Sequence, residues 1–207
     1  MSCPKTTDAD DQEDALNRNP APTHQNPPVL RIDEPFLAEP SYEETSRHRA
    51  YRFTLAAIRL GLGFTFLWAF LDKTFGLGFA TPTAQAWING GSPTKGFLGN
   101  VEGPFAGFYQ SFAGAGWANW LFMIGLLGIG LALMLGVAMR IAAASGALML
   151  VMMWTAVLPI TTNPFIDYHI IDALVLVVLA LTAAGKTLGF GRTWEKIPFV
   201  HNHGILK

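Results

Sequence analysis

The sequence predicts an all-α membrane protein, a four-transmembrane-helix bundle with a long aromatic-rich extracytoplasmic cap between helices 1 and 2. Three observations carry that expectation. Between Phe53 and Leu71 lie nineteen residues with a single charge, Arg59. At about 1.5 Å of rise per helical residue this run covers roughly 30 Å, the thickness of a bilayer's hydrocarbon layer. Three more apolar runs follow after Trp117. Charged residues make up only 14% of the chain and hydrophobic ones 51%, against about 25% charged in ordinary soluble domains.

In order, residues 1–45 hold ten of the fifteen acidic residues and seven of the thirteen prolines, with few apolar residues and no period. Such a segment cannot bury enough surface to offset its ordering entropy. It predicts a disordered, acidic, proline-rich cytoplasmic tail. No apolar run follows its basic residues, so no cleavable signal peptide is expected. The only cysteine, Cys3, lies in this tail, which excludes an intrachain disulfide and paired-cysteine chemistry. A net charge of -1 argues against a nucleic-acid partner, which requires a clustered basic surface.

The four-helix transmembrane domain is expected over residues 46–186. Arg47, Arg49 and Arg52, with His48, form a basic collar before the first span. The connection from Thr74 to Trp117 has two charges, Lys95 and Glu102, and nine aromatics. Glycines and prolines interrupt it throughout, so it cannot be one spanning helix. It is too apolar for a solvated loop and reads as the cap, with short helices near Thr83 to Asn89 and Pro104 to Phe112. Span two is expected from about Trp120 to Met139 and span three from about Ile141 to Ile160. Small residues such as Ala132 and Gly136, or Ala142 and Gly146, suit a close approach of these two helices. A cytoplasmic tail follows from residue 187 to 207.

Lysines and arginines flanking the spans number eight on the side of the termini and the Arg140 turn, against Lys73 and Lys95 opposite. That asymmetry places both termini in the cytoplasm of a multi-pass protein of the cell membrane. Membrane lipid is the first implied partner.

Span four poses the chemical question. Its apolar run, Ala173 to Ala184, has twelve residues, about 18 Å of helix. To cross, it must recruit residues back to about Phe165, which sinks His169 and Asp172 beneath the outer hydrocarbon edge. Three residues apart, they share a helical face. A carboxylate at that depth needs a proton or a cation. Asp72 and Lys73, ending span one, lie at a similar level, so a Lys73–Asp172 pair with His169 nearby is expected, either as a fixed ion pair or as a proton-handling group. Arg59, inside span one, either snorkels to the inner headgroups or turns inward to Ser145, Thr182 or a backbone carbonyl. With one histidine at membrane depth, no bis-histidine haem can be built from this chain alone. No metal, flavin or phosphate-loop motif is present.

IRLGLGFTFLWAFLDKTFGLG, followed by AWINGGSPTKGFL, resembles the DoxX/DoxD family of small four-span bacterial membrane proteins, over roughly residues 50 to 185. The resemblance implies a role in redox metabolism: DoxD-like chains form a subunit of a thiosulfate:quinone oxidoreductase, and DoxX-like chains associate with thiosulfate- and superoxide-handling partners. It therefore implies quinone as cofactor and a second subunit or soluble redox enzyme as partner; a homo-oligomer is compatible with the same pattern. No family motif assigns catalytic residues, so the candidates are physical ones. Lys73 or His169 would donate to a quinone carbonyl, Asp172 would exchange protons, and Asp72 sits beside them. Trp68, Trp87 and Trp154 would line a head-group slot. Lys95 and Lys73 are the cations on the side expected to meet an anionic donor, with Arg59 deeper in the span. The alternative is a non-catalytic scaffold that recruits soluble redox enzymes.

Overall fold

The computed structural model describes residues 42–206, Thr162 and Pro164 excepted. Residues 1–41 of the expected disordered tail, Cys3 among them, lie outside the described residues; its last four residues are helical. Every regular element among the described residues is helical. Three stretches are long and apolar enough to cross a membrane: Thr45–Phe75, Gly116–Leu135 and Met139–Ala156. A shorter apolar helix, Tyr168–Leu181, follows them. Large apolar side chains stand exposed along these helices, among them Phe64, Leu121, Ile124, Leu148 and Leu174. Apolar surface on that scale is foreign to a soluble monomer and marks a membrane-embedded protein.

Helix α1, Tyr42–Phe75, is continuous through the basic collar, which forms its first turns rather than a separate segment. Its inward stripe is Leu55, Ala56, Arg59, Phe66 and Asp72, the three-to-four spacing of one helical face. The connection to the next long helix is folded. It holds single turns at Thr83–Gln85 and Trp87–Asn89, then α2, Lys95–Leu98, and α3, Ala106–Gln110. Val101 and Tyr109 from this connection pack with Ala156 in a small apolar cluster of their own.

Helices α4, Gly116–Leu135, and α5, Met139–Ala156, run about four residues ahead of their expected limits at three ends and two at the start of α5. Gly136 ends α4 in the left-handed conformation, at φ 71°, which glycine adopts without steric cost. α1 packs chiefly on α4, and α5 on α6, Tyr168–Leu181. The small residues serve those contacts more than the expected α4–α5 one. A Cβ on Gly130 would stand 2.8 Å from the backbone nitrogen of Leu67, and one on Gly146 would stand 2.8 Å from a Leu176 methyl.

Helix α6 has fourteen residues, about 21 Å, three residues shorter at each end than span four was expected to be. Asp167 begins it as N-cap, its side chain accepting from the His169 N–H, and Ala183 at φ 49° ends it. The last segment, read as a polar tail, is also folded. It contains a turn at Ala184–Lys186, then α7, Gly191–Trp194, α8, Pro198–Asn202, and a final turn at Gly204–Leu206. It is tied to the bundle by Arg140, whose Nη1 donates to the Gly204 carbonyl at 2.7 Å. Trp194 Nε1 donates to the Leu206 carbonyl at 2.7 Å. The first turns of α1, the α4–α5 turn and this segment share one end of the bundle, here called the basic end.

Candidate functional site

The expected polar residues separate into two groups at the two ends of α1. At the basic end Arg59 has no exposed surface. Its Nη1 donates to the Leu133 carbonyl at 2.9 Å, and its Nη2 donates to the Leu188 and Thr187 carbonyls at 2.8 and 3.4 Å. Arg59 therefore turns inward to backbone carbonyls, and the snorkelling alternative is overturned. The side-chain acceptors named for it are engaged locally: Ser145 and Thr182 hydroxyls donate to carbonyls one turn back on their own helices. The geometry suits a guanidinium, whose planar donors reach several acceptors at once. Leu133 lies in the last turn of α4, where carbonyls carry partial negative charge, and its oxygen also accepts from the Gly136 N–H at 3.2 Å. Only Nε lacks a partner.

At the opposite end Asp72 is 1% exposed. Its two carboxylate oxygens accept from the Phe79 and Ala80 backbone N–H groups, at 3.2 and 3.1 Å. Gly76 N–H donates to the Asp72 carbonyl at 2.7 Å. Asp72 thus staples the chain as it leaves α1, and no cation is needed to hold it. Lys73 beside it is half-buried. The expected Lys73–Asp172 ion pair is not formed; His169 lies against Asp167 instead, and Lys186 pairs with Glu195. Asp172 is half-buried and, among the described residues, makes no hydrogen bond or ion pair.

His169 has a different carboxylate from the one expected. Asp167 Oδ2 lies 2.6 Å from His169 Nδ1, while Asp167 Oδ1 accepts from the His169 backbone N–H at 3.0 Å. One aspartate thus caps α6 and orients the ring. A carboxylate can only accept, so Nδ1 carries the proton. In the neutral ring Nε2 is then the acceptor. The residue is 2% exposed, its ring stacks on Tyr168 at 4.0 Å between centroids, and Nε2 is buried with no partner among the described residues. A buried polar nitrogen with nothing to bond is costly, roughly 1–3 kcal/mol, and marks a place where a ligand atom is favoured. Asp167 was legible as an N-cap two residues ahead of the histidine, but residues 165–172 were read as continuous helix.

The aromatic candidates are dispersed. Trp68 meets Phe79 edge-on at 5.1 Å, and Trp87 meets Trp120 edge-on at 4.7 Å. Trp154 Nε1 donates to the Phe165 carbonyl at 3.1 Å, which ties α5 to the strand of chain leading into the Asp167–His169 dyad. Of the three tryptophans it alone is tied by a hydrogen bond to that approach. Lys95 is exposed at the start of α2, with its stem against Gly114. Asn119, which sequence reasoning missed, organises the connection before α4. Its Oδ1 accepts from Thr94 Oγ1 at 2.6 Å, Thr94 N–H at 3.1 Å and Ser92 Oγ at 3.0 Å.

Among the described residues no group of three or more His, Cys, Asp or Glu side chains could hold a metal ion. No family model, curated protein or solved structure matches this chain.

Proposed function

We propose that this chain is a DoxX/DoxD-like subunit of a bacterial inner-membrane redox system, crossing four times with both termini in the cytoplasm. In this reading α6 completes the fourth crossing together with the residues flanking it, and the connection from Gly76 to Ala115 is an extracytoplasmic cap. The chain would hand electrons from thiosulfate or another small donor, through a partner subunit, to membrane quinone. Support for a quinone-binding role rests on one observation, the His169 Nε2 that is buried with no partner among the described residues while Nδ1 is held by Asp167.

Quinone, when bound, supplies two-electron carriage coupled to proton uptake. His169 fits an oxygen of that group. Its neutral ring accepts from a hydroxyl, and its protonated ring donates to a carbonyl. Asp167 sets which nitrogen is available and stabilises the imidazolium, as an oriented carboxylate does beside any general acid–base histidine. Trp154 positions the approach to the dyad through Phe165. Asp72 supports the first turn of the cap.

Mild-detergent purification followed by solvent extraction and mass spectrometry tests this. The wild-type chain, with its co-purified partners, should retain quinone in near-stoichiometric amount, and His169→Phe should lose it while remaining folded. Wild-type protein devoid of quinone, or equal retention by both, would refute the reading.

One observation favours a scaffold instead: Asp72, Arg59 and Trp154 all bond to the chain's own backbone. A scaffold working through its amino-terminal segment requires that deleting residues 1–41 abolish recruitment of a soluble partner. Undiminished co-purification would eliminate it.

A further inference from the structure

We infer that the basic end carries a binding site for the phosphate headgroup of an anionic phospholipid. Between the first turns of α1 and the segment after α6 lies a cavity of about 370 Å³. Arg52, Lys186, Arg192 and His48 line it, with Leu55 and Thr187 among the remaining walls, and no carboxylate does among the described residues. Basic pockets between membrane helices, on the side where cations collect, suit lipid phosphates.

The wall is built rather than loose. Arg52 Nε donates to Thr187 Oγ1 at 3.2 Å, which leaves both terminal guanidinium nitrogens without a bond among the described residues. Thr187 and Leu188 are themselves held by the buried Arg59 through their carbonyls. Leu188 is kept at φ 51°, a left-handed conformation that leucine rarely adopts, and one that the grip on its carbonyl helps to hold. Lys186 is shared with Glu195 at 2.9 Å, and Arg192 is exposed, with no partner among the described residues.

The flanking surface argues for a lipid over a free phosphate. Leu188 and Phe190, each two positions from a cation that lines the cavity (Lys186 and Arg192), are 61% and 63% exposed. Apolar side chains so placed meet acyl chains, while the cations one or two positions away meet the headgroup, as at any bilayer boundary. The site is independent of the redox reading, since it lies at the end of the bundle away from His169.

The test is thermal unfolding and native mass spectrometry of the full chain in detergent, titrated with phosphatidylglycerol, phosphatidylcholine or inorganic phosphate. Phosphatidylglycerol should bind and raise the unfolding temperature, and the other two should not. The Arg52→Gln/Arg192→Gln variant should bind phosphatidylglycerol about tenfold more weakly or worse, given about one tenfold step per 1.4 kcal/mol. Arg192→Gln alone, which removes an exposed side chain, should lose part of the affinity and covers the case in which the double variant does not fold. Arg47→Gln/Arg49→Gln removes as many charges outside the cavity and should bind as wild type. Equal response to the zwitterionic lipid, an equal response to inorganic phosphate, or equal loss in the Arg47/Arg49 control would each overturn the assignment.

Discussion

The two ends of α1 solve the same problem with opposite charges, and the contrast separates structural from chemical roles. At the basic end a buried cation, Arg59, is satisfied by three carbonyls drawn from the end of α4 and the segment after α6. At the other end a buried anion, Asp72, is satisfied by two N–H groups of the connection that follows. Neither charge reaches for a side chain of opposite sign. Backbone groups at helix ends and in turns are unpaired by construction. In a membrane they must be satisfied within the protein, so a buried charge placed among them neutralises two needs together. Each end also leaves one nitrogen spare. Arg59 Nε belongs to a guanidinium already fixed at both tips, whereas His169 Nε2 is the working atom of a ring whose other nitrogen only orients it. The first reads as a clamp and the second as a site.

The largest expected effect comes from breaking the clamp. Arg59→Met leaves the Thr187 and Leu188 carbonyls without their donor and takes one of two from Leu133, and should cost about 3 kcal/mol or more, seen as a large fall in unfolding temperature in detergent. Arg59→Lys should recover only part, because an ammonium cannot span the same acceptors. Asp72→Ala removes charge-assisted bonds from two buried N–H groups and should cost about 2–3 kcal/mol, with the loss centred on residues 76–81 in hydrogen exchange. Asn119→Ala should cost about 1–2 kcal/mol by stranding the Thr94 and Ser92 donors. Asp172→Asn sharpens the comparison from below. Without a partner among the described residues, it should change stability by no more than about 0.5 kcal/mol. A loss as large as that of Asp72→Ala would mean that Asp172 is paired after all.

Much of the fold was legible in hydropathy. Nineteen residues with one charge announce α1, and the apolar runs of α4 and α5 lie within a few residues of where they were expected. The shorter α6 was overextended because length alone was used to place its ends. The local signals, an aspartate able to cap at Asp167 and a break at Ala183, were set aside. The folded segment after α6 was missed because charged residues, glycines and histidines leave it no continuous apolar run, although Val200 is buried. The site was half legible. Burial of Arg59, Asp72 and His169 follows from depth in a span. Their partners do not, because a sequence advertises side-chain charges and conceals backbone acceptors and donors. That concealment is why Lys73 was paired with Asp172 and Asp167 was overlooked.

The most direct test is nitrogen NMR of the His169 ring in labelled, detergent-solubilised protein, with a short-chain quinol added. The structure predicts a ring protonated on Nδ1 toward Asp167, with an Nε2 whose resonance shifts on quinol addition and does not shift when Asp167 is replaced by Asn and the tautomer is released. A ring protonated on Nε2 alone, or an Nε2 resonance indifferent to saturating quinol, would contradict it.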